Sequence, residues 1–195
     1  MRRLFILIVS ALVAGCAAMA KVEQGEQVVG DRLVVDLDGP WNRFNRNVGV
    51  ANWVDVPTWT VEGFTVDTLQ FFVGIKDGAS IAKRVKGAKE SRPLTFHASM
   101  KAHEIVALFE GLYTQDGSTF TLEKIEPVTF IGQPGFRFSY TLIRRGDDVT
   151  LSGVGYGAIQ NAELTAVVYS APRLGFFPRY QAQIEKMALG ATMKT

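Results

Sequence analysis

Cysteine occurs once in this chain, at Cys16, and histidine twice, at His97 and His103. One cysteine cannot form a disulfide within the chain, so the fold must hold by its core. Two histidines are too few for the usual zinc sites, which take three or four protein ligands. His103-Glu104 begins like a zincin pattern, but Ala107 stands where the second histidine belongs. The expectation is therefore no metal and no cofactor. Excess charge is also scarce: the formal net charge is +2, and without residues 1–15, which hold Arg2, Arg3 and no acid, 19 basic residues face 19 acidic ones. A balanced chain lacks the basic stripe that neutralises phosphates, which argues against a nucleic-acid partner. No apolar run is long enough to span a bilayer, which takes about 20 residues.

The apolar run that does occur, Leu4 to Val13, follows Arg2-Arg3 and ends in small residues. A charged start, a short apolar stretch and small residues read as a secretory signal peptide over residues 1–15. Leu12-Val13-Ala14-Gly15-Cys16 resembles the lipobox of bacterial lipoproteins. The resemblance implies cleavage after Gly15, a thioether-linked diacylglycerol on Cys16, and commonly a third acyl chain, such as palmitate, on the new amino group. No thiol would then remain to act as nucleophile or metal ligand. One acyl chain binds a membrane only marginally, whereas two or three hold firmly. Ala17, rather than Asp, follows the cysteine. By analogy with lipoprotein sorting this directs the protein to the outer membrane of the cell envelope.

Residues 16–27 are small or polar and read as the lipidated cysteine and a tether. Residues 28–195 read as one α+β domain, long enough for a core of its own. Leu33 to Leu37 is a short apolar strand ending at Gly39-Pro40, and Thr58–Val61 and Thr65–Ile75 flank a turn at Glu62-Gly63. Ile105, Leu108, Phe109 and Leu112 recur at helical spacing, with Glu104 in the first turn where the helix dipole favours an acid. Thr119–Ile125 is a strand, and Gln133-Pro134-Gly135-Phe136 suits a type II turn. Phe136, Phe138, Tyr140 and Leu142 then alternate with polar residues, as one half-buried strand does. Val149–Ile159 and Leu164–Tyr169 complete a meander, joined at Gln160-Asn161, and Pro178 opens a last helix. The sum is an antiparallel sheet of six to seven strands, with one apolar face covered by two main helices.

This order resembles the sandwich of PsbP-like proteins, with a late meander and a closing helix. Asp38-Gly39-Pro40-Trp41-Asn42-Arg43, Trp59-Thr60 and Gly132-Gln133-Pro134-Gly135-Phe136 also resemble a group of alphaproteobacterial envelope lipoproteins with no known activity. The resemblance implies fold and location, and no reaction.

Motifs of catalysis are sparse. No Gly-x-Ser-x-Gly elbow occurs, and Glu104 and Glu110 fall on different helical faces. Gly153, Gly155 and Gly157 alternate, which strips one face of a strand for a bulky neighbour or for a ligand, with packing the preferred reading. Arg145-Gly146-Asp147 spells an adhesion tripeptide, yet a hairpin loop selects Gly and Asp for its own geometry. Trp41, Trp53 and Trp59, with Arg43, form the candidate binding residues, since Trp and Arg are enriched where partners bind. The expected function is a lipid-anchored envelope protein, a non-enzymatic binding or assembly module. It would meet the membrane through its anchor and an envelope protein or ligand through its domain. The alternative is a hydrolytic or ligand-processing enzyme with an unmarked site.

Overall fold

A computed structural model describes residues 19–44, 56–82 and 94–194. Cys16, Trp53 and the expected signal peptide lie outside the described residues. The elements are β1 (Met19–Val22), β2 (Gly25–Val29), β3 (Leu33–Leu37), β4 (Trp41–Phe44), β5 (Thr58–Thr60), β6 (Thr68–Lys76), α1 (Ala102–Tyr113), β7 (Thr119–Phe130), β8 (Gln133–Ile143), β9 (Thr150–Gln160), β10 (Glu163–Pro172), α2 (Phe177–Leu189) and β11 (Thr192–Met193).

The α+β expectation holds, with more strands than the pattern suggested. An eight-stranded antiparallel sheet runs β1-β4-β5-β6-β10-β9-β8-β7, and a three-stranded sheet runs β11-β3-β2. Both faces of the large sheet are apolar, not one. Leu69, Phe71, Val167 and Tyr169 join Ile184 and Met187 of α2 and Leu33, Val35 and Leu37 of β3 on one side. Phe72, Leu164, Ala166 and Val168 join Ile105, Phe109 and Leu112 of α1 on the other. A strand covered on both faces reads as a continuous apolar run rather than an alternation, as Ala166–Tyr169 does. The meander strands form because their residues alternate: Phe136, Phe138, Tyr140 and Leu142 of β8 are all buried. Helix α1 starts where expected, and the Lys101 N–H donates to Glu104 Oε2 at 2.8 Å.

Two expectations are corrected. The tether assigned to residues 16–27 is not free over its described part. Met19–Val22 pairs with β4, from Met19 opposite Phe44 to Val22 opposite Trp41, and Gly25–Val29 pairs with β3. Val22 and Val29 are buried, and that burial draws these short strands into the sheets. The turn placed at Gln133–Phe136 falls instead at Ile131-Gly132, where φ is 48° and 71°. Pro134 is accommodated because β9 begins to pair with β8 only at Gly135, opposite Ala158.

Candidate functional site

The expected aromatic binding face does not exist at two of its three tryptophans. Trp41 is 1% exposed and Trp59 5%. Trp41 meets Tyr169 edge to face at 6.4 Å between centroids, and Trp59 meets Phe71 at 4.5 Å. Both rings lie in the core on the α2 side, where each holds its short strand to the sheet. Arg43 is exposed, opposite Ala20 and Trp59 in register. The structure thus leaves Arg43 as the exposed member of the group among the described residues.

The glycine alternation resolves as packing. Gly153, Gly155 and Gly157 of β9 lie opposite Tyr140, Phe138 and Phe136 of β8. A Cβ on any of the three would enter the facing ring. The Arg-Gly-Asp tripeptide is likewise structural. Arg144 donates from Nε and Nη2 to the two oxygens of Asp147, at 3.0 and 2.6 Å. This pairing holds the Asp147 carboxyl below its usual range. Asp147 also accepts from the Val149 N–H. His103 is exposed on α1, and His97 Nδ1 sits 3.4 Å from Asp77 at the surface. Among the described residues no group of three or more His, Cys, Asp and Glu side chains is placed to hold a metal.

A different group of polar residues converges at the end of the sheet where β5 turns into β6. Asp67, 1% exposed, organises that turn. It accepts from Thr60 Oγ1 at 2.5 Å, from the Glu62 N–H at 2.8 Å and from the Val61 N–H at 3.1 Å. Thr60 Oγ1 in turn accepts from the Gly63 N–H at 2.8 Å. This presents the Glu62 carboxylate to the first turn of α2. There Glu62 accepts from Tyr180 Oη at 2.5 Å and from Arg179 Nη1 at 2.9 Å. Arg179 also covers the Phe176 ring at 5.4 Å.

Beneath this clasp stand two buried groups without partners, the Tyr169 hydroxyl and the Trp41 indole N–H. Phe177 stacks on Tyr169 at 5.9 Å. Burial pushes the Tyr169 phenol well above its ordinary range, and Asp67, Tyr180 and Glu62 push it the same way. An unpaired buried polar group costs about 1–3 kcal/mol. The carboxylates nearby, Asp67 and Glu62, are engaged by donors of the turn and of α2.

On the opposite face of the same sheet end, Tyr113 Oη donates to Gln70 Oε1 at 2.7 Å, and Thr68 and Ser170 hydroxyls meet at 3.1 Å. Burial raises the phenols of both Tyr113 and Tyr140 there. The buried Gln115 amide has no partner.

Sequence reasoning missed Asp67, Glu62, Arg179, Tyr180 and Tyr169 as members of one group. A buried aspartate reads like any loop aspartate, and Glu62 and Tyr180 are 118 residues apart.

Neither a family model nor a curated protein matches this chain. Among solved structures, the solution structure of cyanobacterial PsbP (CyanoP) from Synechocystis sp. PCC 6803 is similar. Its TM-score is 0.57, with 13% identity, over 93% of this chain and 96% of that one. At that identity the likeness shows the fold, which is PsbP-like.

Proposed function

We propose that this chain is a lipid-anchored envelope protein whose α+β domain is a non-enzymatic binding or assembly module at the membrane. The observation that carries the reading is Leu12-Val13-Ala14-Gly15-Cys16 directly after a charged start and a short apolar run. The cysteine of this segment is the chain's only one. Ala17 points to the outer membrane, and the resemblance to alphaproteobacterial lipoproteins agrees with that location. Binding is preferred to catalysis on the chemistry of the sheet end. Asp67 and Glu62 are held by hydroxyl, amide and guanidinium donors. Both oxygens of the buried Asp67 and the Oε1 of Glu62 are thus committed to structural donors, whereas a general base must meet the proton of its substrate.

The anchor is tested by Cys16→Ser. Labelled palmitate should enter the wild-type protein and not the variant, and the variant should leave the membrane fraction. Equal labelling of both defeats the reading.

A further inference from the structure

The distance from the acylated cysteine to the folded sheet is very short. Residues 17–27 as a free tether would let the domain wander about 40 Å from Cys16, at about 3.3–3.6 Å per residue. Met19, however, is already paired with Phe44 in β1. Only Ala17 and Ala18 separate it from Cys16. Three Cα steps span about 11 Å at most. β1 is held in place by Val22, buried opposite the fully buried Trp41.

Among the described residues β1 is also an outer strand of the large sheet, and β7 is the other. Seven steps between neighbouring strands, at about 4.8 Å each, put these edges roughly 33 Å apart. We infer that the protein stands edge-on at the lipid bilayer, with β1 against the membrane and β7 facing away. This rests on the lipid anchor proposed above. The occupant of the β1 edge is the bilayer that holds the acyl chains.

Two features of the edges suit this orientation. Met19 of β1 is an apolar side chain 44% exposed. A bilayer interface accepts such a group readily. The β7 edge, although Leu122 on it is 42% exposed, is guarded against pairing. It carries exposed Glu123, Lys124 and Pro127 and has a register shift between Leu122 and Lys124. Charges, proline and bulges are the devices that keep a long free edge from pairing with other strands.

With Cys16 blocked by its thioether, an added cysteine would be the only free thiol. Lys21→Cys on β1 and Lys124→Cys on β7 are matched sites, their lysine side chains 61% and 64% exposed. The full-length lipidated variants, labelled with a fluorescent maleimide, are reconstituted in phosphatidylethanolamine–phosphatidylglycerol vesicles carrying a headgroup quencher. Quenching should be several-fold stronger at position 21 than at 124. Inserting about ten Gly and Ser residues after Ala18 frees the tether and should remove the difference. Equal or reversed quenching in a protein whose mass includes the diacylglyceryl group overturns the edge-on orientation alone. A mass without that group overturns the anchor and the orientation together.

Discussion

A methyl group added at Gly155 would lie inside the ring of Phe138, as at Gly153 beneath Tyr140 and Gly157 beneath Phe136. The neighbours cannot move far, because Phe138 also stacks on Phe109 of α1 at 5.5 Å. Gly155→Ala should therefore cost about 1–3 kcal/mol, the usual range for overpacking, measured by urea unfolding. Combining it with Phe138→Leu should cost less than the sum of the two changes, since they share one contact. Tyr169 makes the opposite case. Its hydroxyl is buried without a partner, so Tyr169→Phe should leave stability at neutral pH unchanged or raised. The same change should alter the alkaline limb. An unfolded tyrosine ionises near 10, while folded Tyr169 keeps its proton beyond that. Above about pH 10 the unfolded state therefore holds fewer protons than the folded one, and stability falls as pH rises. Tyr169→Phe should make that fall shallower in unfolding measured across pH 9 to 11. An unchanged slope contradicts the prediction.

At the scale of elements, two hairpins separate backbone strain that burial offsets from strain that it does not. Two-residue loops that match strand twist favour positive φ at both residues. The β7–β8 loop places Ile131 at φ 48°, and the β9–β10 loop places Asn161 at 52° and Ala162 at 59°. A side chain in that region costs roughly 1–2 kcal/mol relative to glycine. Ala162 is exposed and gains nothing in return. Ala162→Gly should stabilise the protein by about 1 kcal/mol, read as a higher denaturation midpoint. Ile131 is 5% exposed in the core beside α2, where burying an isoleucine is worth about 1.5–3 kcal/mol. Ile131→Gly should therefore bring no gain, although its backbone strain is the same kind. A gain at Ile131, or none at Ala162, would show that strain is not what separates them.

For the whole molecule, the amino-terminal strands are part of the fold and not an approach to it. Val22 of β1 is buried opposite Trp41, and β2 covers β3. A chain begun at Val28 loses β1 and most of β2. It should be less stable than one begun at Met19 by at least about 2 kcal/mol, the burial of one valine. At roughly 2–4 °C per kcal/mol for a protein of this size, the melting temperature should drop by several degrees. Equal melting of the two chains would return residues 19–27 to the role of tether. The PsbP-like fold shared with the cyanobacterial protein at 13% identity fits this scale. Layered burial on both faces of a sheet constrains where apolar residues fall, and leaves their identities free.

Period was legible in the chain alone. Phe136, Phe138, Tyr140 and Leu142 face one way in any strand, and Ile105, Leu108, Phe109 and Leu112 face one way in any helix, because these repeats are geometry of the backbone. The stripped face of β9 was legible for the same reason, as was Pro178 in the first turn of α2. Position in space was not legible. Trp41 and Trp59 have the same chemistry in a core as on a surface, and only the strands that closed over them decided. The residues between 19 and 27 look like a tether until Val22 finds the core. Asp67, Glu62, Arg179, Tyr180 and Tyr169 meet because a turn and a helix start arrive at one end of a sheet. Contacts between segments so far apart along the chain depend on the packing of all the layers between them, which no local pattern encodes.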